Sequence, residues 1–290
     1  MKIAIAQINT TIGDFDGNAD KIVDAWRRAD EAGAALVVLP ELALCGYPPR
    51  DLLAKPAFLR QNQEALESLT KRSGKAVAVV GYASANETDS GRPAQNSAAV
   101  LQDGQVAAVR HKTLLPNYDV FDEDRYFEPA TGNTPVEILG TKVGITICED
   151  IWNDEVFLHD RRYDRRPAEE LAAGGAELLL NLSASPWSLG KEHSRHVLLS
   201  QLSVKCGCPV VYCNLVGGND ELVFDGGSQY YNGHGVLGAN GAMFAEDLLL
   251  IDTETIEPKS SDTSDDNEKI YRALSLGVRD YLHKCGFASA

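Results

Sequence analysis

The stretch GITICEDIWND, residues 144–154, places a thiol, Cys148, at the end of an apolar run, with the carboxylates of Glu149 and Asp150 directly after it. A thiolate is a strong nucleophile, but acidic neighbours raise a thiol's pKa and keep it protonated. Cys148 is therefore either a core thiol or a nucleophile served by a base and a cation from elsewhere in the chain. None of the histidines (His111, His159, His193, His196, His234 and His283) stands in a Cys–His signature, although such partners are set by the fold rather than by spacing. Two other titratable groups occupy the same kind of position as Cys148. Glu41 follows the apolar run ALVVLP, and Lys112 follows the β-type run VAAVRH. The carboxyl ends of strands are where α/β sheets tend to place ligands. An acid, an amine and a thiol at three strand ends could together run nucleophilic chemistry assisted by proton transfer. Each could equally mark the point where a buried strand meets water.

The elements that must position these groups alternate along the chain. KIAIAQI predicts a strand, and residues 18–33 predict a helix with Ile22, Val23, Trp26 and Ala29 on one face and Gly33 as its stop. AALVVLP reads as a short buried strand ended by Pro40, residues 56–72 as a second helix, and AVAVVGYAS as a strand. In NSAAVLQDGQVAAVRHK, two β-type runs flank Asp103-Gly104, the favoured type I′ hairpin turn. A long aromatic and acidic loop, TLLPNYDVFDEDRYFEPATGN, follows Lys112, and loops of this length inside compact domains tend to be functional. After the Cys148 strand come a helix near 165–173, the strand AELLLNLS, a helix at about 191–205, the strand PVVYCNL, and strands and turns through Gly241. Hairpins mixed with strand–helix units predict an α/β sandwich, with helices covering two sheets, better than a purely parallel doubly wound sheet.

Residues 252–268, DTETIEPKSSDTSDDNE, are acidic and nearly without large apolar side chains, and predict a solvated linker. Beyond it, Ile270, Leu274, Val278 and Leu282 recur every four residues and predict an amphipathic helix, leading into further chain or packing on a partner. The expected division is a catalytic domain over 1–251, the linker over 252–268 and the helix within 269–290.

The net charge of −15 argues against a nucleic-acid face or an anionic membrane face. No apolar run reaches the roughly 18–20 residues that span a bilayer. The N-terminal apolar stretch is too short for a signal peptide, so a cytoplasmic protein is expected. The cysteines at 45, 148, 206, 208, 213 and 285 do not form a disulfide framework. Cys206 and Cys208 lack a second ligand pair, and His193 and His196 lack the HExxH pattern, so no metal site is expected.

Several long stretches, in order, resemble the nitrilase (carbon–nitrogen hydrolase) superfamily: LPELALCGYPPRDLL, HKTLLPNYDVFDEDRYF and GITICEDIW. NLSASPWSLGK and VGGNDELVFDGGS, with PPRDLL and NYDVFDEDRYF, are similar to its glutaminase branch, the glutamine-hydrolysing part of glutamine-dependent NAD+ synthetases. The resemblance covers about residues 1–285. It implies an αββα sandwich and a catalytic triad of Glu41 as base, Lys112 as cation and Cys148 as nucleophile. It further implies that Glu123 holds the lysine and substrate, that Tyr118, Phe121 and Glu149 lie near glutamine, and that Ser185 and Lys191 lie toward its α-carboxylate. Lys191 could also be a solvated lysine at a helix start, and Tyr118 and Phe121 could be loop packing. ATP and Mg2+ would belong to a synthetase domain absent from this chain, whose SGGxDS phosphate loop is expected beyond GFASA; this chain itself needs no cofactor. Glutamine, that synthetase domain and further copies of the chain are the expected partners. A free-standing amidase or nitrilase is the alternative, and a catalytically idle interaction module is a third reading that the three titratable residues speak against.

Overall fold

A computed structural model describes residues 1–88, 90–153, 163–255, 258–259, 264–287 and 289. His159 and residues 256–257 and 260–263 of the acidic stretch lie outside the described residues. The first half of the chain runs β1 (Lys2–Gln7), α1 (Phe15–Glu31), β2 (Leu36–Val38), α2 (Pro56–Thr70), β3 (Val77–Ala85), β4 (Ala94–Gln102) and β5 (Gln105–His111). The second half begins with β6 (Val136–Ile138), β7 (Thr141–Ile147), α3 (Pro167–Ala173), β8 (Leu178–Ser183), α4 (Lys191–Cys206) and β9 (Val210–Asn214). It closes with β10 (Val216–Asn219), β11 (Leu222–Asp225), β12 (Gln229–Tyr231), β13 (Leu237–Asn240), β14 (Asp247–Asp252) and α5 (Asp266–Lys284).

Two six-stranded sheets form, ordered β14-β1-β2-β3-β4-β5 and β13-β12-β9-β8-β7-β6. Strands β1, β2 and β3 are parallel neighbours, as are β7, β8 and β9. These central strands are buried on both faces, which is why they read as continuous apolar runs rather than as clean alternation. One face of each sheet meets the other through Ile3, Ile5, Val38, Val79, Ile145, Ile147, Leu180 and Leu182. The intervening residues point outward. Ala4, Ala6, Val37 and Val80 pack under Ile22 and Trp26 of α1 and Leu66 and Leu69 of α2, while Leu179, Val210 and Tyr212 pack under Leu171 of α3 and Leu198, Leu199 and Leu202 of α4. The result is the expected α/β architecture, an αββα sandwich with helices outside two facing sheets. Each fully buried aliphatic side chain contributes roughly 1.5–3 kcal/mol to it.

The turn Asp103-Gly104 joins β4 to β5 with φ of 51° and 78°, the doubly positive signature of a type I′ hairpin. Helix α1 starts earlier than the periodicity predicts. Asp14 caps it by accepting from Gly17 N at 3.0 Å, while Asn18 is buried and binds Thr11 and Leu44 main chain.

Helix α5 departs from its expected packing. It begins at Asp266, capped by Asp265, so the last residues of the expected linker are helical. Its buried residues are Lys269, Ala273, Leu276 and Asp280, not the predicted stripe: Ile270, Leu274 and Val278 are 36%, 65% and 59% exposed. The helix lies on β10 and β11, where a Cβ on Gly218 would sit 3.0 Å from the Gly277 Cα. Two glycines let backbone approach backbone there, Asp280 accepts from Gly218 N at 2.8 Å, and Ala273 and Leu276 of the same face pack with Val216, Met243 and Phe244. No described helix is long and apolar enough to cross a membrane.

Candidate active site

Glu41 is delivered by β2 through Leu39 and Pro40 and is 1% exposed. Neighbouring β3 makes room for this turn with Gly81, where a Cβ would lie 2.2 Å from the Pro40 carbonyl oxygen. Glu41 Oε1 accepts from Lys112 Nζ and from Asn96 Nδ2, both at 2.7 Å, and Oε2 accepts from the Ala184 amide at 2.8 Å. Lys112, one residue past β5 and 1% exposed, also donates to Glu123 Oε1 at 2.9 Å and Oε2 at 2.7 Å. The Tyr47 hydroxyl donates to Glu123 Oε1 at 2.8 Å. A single buried ammonium thus stands between two buried carboxylates. Burial pushes Lys112 down, but the charges of Glu123 and Glu41 outweigh it and hold the ammonium well above its usual range. Burial raises Glu123 to about 7, with Lys112 pulling it back and Glu41 adding to the rise.

Cys148 follows β7 with φ of 43°, a left-handed conformation uncommon outside glycine, and is 4% exposed. Burial pushes its thiol well up, with Glu41, Glu123 and Glu149 adding to the rise and Lys112 opposing it. The thiol is therefore neutral at rest and ionises only if a base takes its proton as it reacts. Glu41 and Lys112 are the charged groups that act on it most strongly.

The two acids after Cys148 have separate tasks. Asp150, 3% exposed, accepts from Thr113 N at 3.0 Å and Leu114 N at 2.8 Å through Oδ1, and from Ile147 N at 3.0 Å through Oδ2. One carboxylate therefore fastens the main chain just after Lys112 to the main chain just before Cys148. Burial pushes Asp150 up to about 6, against the pull of those three N–H donors. Asp150→Ala would leave three buried amides without an acceptor, each worth about 1–3 kcal/mol. A stability loss of about 3 kcal/mol or more is the expected result of denaturant unfolding; a loss below ~1 kcal/mol would show that the clamp is dispensable.

Glu149, 3% exposed, is instead held by phenols: Tyr118 Oη lies 2.8 Å from its Oε1 and Tyr163 Oη lies 3.1 Å from the same atom. Phe121 packs edge-on against Tyr118, ring centroids 5.8 Å apart. Ser185 and Lys191 flank the turn after β8. The Ser185 amide donates to Asn214 Oδ1 at 2.9 Å, and Lys191 Nζ donates to the Pro186 carbonyl at 2.8 Å. Burial lowers Lys191, and the charge of Arg195 lowers it further. Lys191 Nζ also lies 5.8 Å from the centroid of the Trp152 ring, four residues after Cys148.

Sequence reasoning singled out Glu41, Lys112, Glu123, Cys148, Tyr118 and Glu149; hydrogen bonds join the first three and join Tyr118 to Glu149, while Cys148 lies under the charges of Glu41, Lys112, Glu123 and Glu149. It missed Tyr47, Asn96, Tyr163 and the Ala184 amide. Asn96 sits inside a strand two residues from Ala94, and nothing in its spacing distinguishes it from a satisfied core amide. Tyr47 lies within the motif GYPP and offered the better signal. Elsewhere, burial raises Cys45 and Cys206 to about 12 and Cys208 to about 11, Cys206 feels Glu169 and Lys205 of its own surroundings rather than the Glu41–Lys112 pair, and Cys213 faces the main-chain oxygens of Val38 and Ala6. Among the described residues, no group of three or more His, Cys, Asp or Glu could hold a metal ion.

Residues 2–255 match the carbon-nitrogen hydrolase family. A Synechocystis protein named glutamine-dependent NAD(+) synthetase is 44% identical over 99% of this chain and 53% of its own length. The solved structure of a glutamine-dependent NAD+ synthetase from Acinetobacter baumannii superposes with a TM-score of 0.88 at 34% identity, over 100% of this chain and 53% of that one. An amidase from Nesterenkonia sp. superposes with a TM-score of 0.71 at 25% identity, over 89% of this chain and 90% of its own. The chain thus spans about half the length of its synthetase relatives and most of the length of the amidase. A thiol at a strand end, a buried lysine held between two glutamates, an αββα sandwich and a family match over most of the sequence converge on one conclusion: this chain belongs to the carbon-nitrogen hydrolase family.

Proposed function

We propose that this chain is the glutaminase part of a glutamine-dependent NAD+ synthetase. The observation that carries the reading is Lys112 buried between Glu41 and Glu123 with the Cys148 thiol under their combined field. Relatives of about twice the length that bear the synthetase name support the choice of substrate.

In the proposed reaction Glu41 takes the Cys148 proton as the sulfur attacks the side-chain amide carbon of glutamine. The carbonyl oxygen becomes an oxyanion, stabilised by the Lys112 ammonium and a backbone N–H beside Cys148. Glu41 then gives its proton to the amide nitrogen, the carbon–nitrogen bond breaks and ammonia leaves a thioester. Water gives a proton to Glu41 and attacks the thioester, and the returning proton restores the thiol as glutamate departs. Glu149 is proposed to meet the α-ammonium of glutamine and Lys191, with Ser185, its α-carboxylate, while Tyr118 and Phe121 wall the chain between. Ammonia would feed the ATP-dependent amidation of deamido-NAD+ in a synthetase domain, where ATP and Mg2+ belong.

The amidase neighbour, matched along most of its length, favours a second reading, a hydrolase of another small amide. Ammonia release from glutamine, short aliphatic amides and nitriles, measured side by side, separates the two. A diazoketone analogue of glutamine should label Cys148, located by mass spectrometry, and spare the exposed Cys285. Preference for an uncharged amide or a nitrile would overturn the glutaminase reading, and an adduct on Cys206 or Cys208 would overturn the site.

A further inference from the structure

Tyr163 converges with Tyr118 on one carboxylate oxygen. Its hydroxyl stands 3.1 Å from Glu149 Oε1 and 3.4 Å from the Leu115 carbonyl oxygen. A phenol has one hydrogen to donate, and the nearer, charged acceptor takes it. The Tyr118 hydroxyl lies 2.8 Å from Glu149 Oε1 and 3.0 Å from Oε2. Tyr118 comes from the loop after β5 and Tyr163 from beyond the Cys148 turn, so two separate segments grip the same acid. Tyr163 is itself held: Asn153 Nδ2 donates to its carbonyl at 2.9 Å and to that of Arg165 at 2.6 Å. Burial raises Tyr118 and the Glu149 charge raises it further, so that phenol stays a donor.

We propose that Tyr163 is a positioning residue for specificity, aiming the Glu149 carboxylate at the α-ammonium of the substrate so that amino-acid amides are chosen over amides lacking that group. The inference rests on the reading of Glu149 given above. Hydrogen bonds to a carboxylate favour its charged form and restrict its rotation. A site built to pair a substrate's charged group rejects the analogue without it, because the site's own buried group is then left unpaired.

The test is binding, so that no chemistry confuses it. Glutamine and its deaminated analogue, 5-amino-5-oxopentanoate, are titrated calorimetrically into the Cys148→Ala protein with and without Tyr163→Phe. Losing one of the two described phenol donors to the acid should weaken glutamine by about tenfold. The analogue should change by less than about twofold, since it never meets Glu149 through an ammonium. A merely structural role would weaken both ligands alike, and that result, or an unchanged ratio, overturns the inference. If the parent protein binds both ligands equally, the Glu149 reading falls and takes this inference with it. If the parent discriminates and Tyr163→Phe discriminates equally well, only the Tyr163 inference falls.

Discussion

Cys148→Ala is expected to lower glutamine turnover by about 10⁴-fold or more, the scale seen when a hydrolase loses its nucleophile. The fold should survive. The substitution removes only a sulfur from a 4% exposed position, and alanine accepts the same left-handed φ of 43° with the same strain. The thermal midpoint should move by no more than a few degrees, since a change of about 1 kcal/mol corresponds to roughly 2–4 °C in a chain of this order. Ammonia release and thermal unfolding, measured on the same preparation, check both halves. Residual activity above about one per cent of the parent value would place the nucleophile elsewhere, because a bystander thiol contributes far less than that loss.

Lys112→Ala should fail in two ways at once. Removing an oxyanion donor typically costs about 10² to 10³ in rate. Removing the cation also leaves Glu41 and Glu123, both buried, facing each other without a counter-charge. Breaking a buried pair on one side costs roughly 3–5 kcal/mol, because the remaining buried charge keeps only neutral donors and no counter-charge. The midpoint should therefore fall by roughly 10 °C. Near-normal turnover would remove Lys112 from the oxyanion role, whatever happened to stability. Unchanged stability with lost turnover would mean that Glu123 takes up a proton once the lysine is gone, consistent with the upward pull of burial on it.

The inert-thiol reading of Cys148 and the nucleophile reading differ in surroundings, not in burial. Cys45, Cys213 and Cys148 are all buried, and burial raises all three thiols. Of these three, only Cys148 has both a glutamate and a lysine among the charges that act on it. Its sequence neighbours have partners of their own: Asp150 clamps two main-chain segments, and Glu149 accepts from two phenols. Asp150, which looked like an obstacle to thiol chemistry, is in this arrangement a part that holds the main chain leading into the thiol in place.

Local chemistry made much of this protein legible in its sequence. The Asp103-Gly104 hairpin, the buried central strands, the helices α2 and α4 and the strand-end placement of Glu41, Lys112 and Cys148 follow from periodicity, turn residues and proline stops, all of which act over a few neighbouring positions. Partners chosen across the fold were not legible. Asn96 reaches Glu41 across 55 residues, Tyr47 reaches Glu123 across 76 and the Ala184 amide reaches Glu41 across 143. The face of α5 that packs was not legible either: it sets glycine against glycine and is not the predicted apolar stripe. A sequence determines which residues end a strand because that is a property of the chain segment. Which ends meet depends on how two sheets twist and stack, and only the assembled tertiary structure decides it.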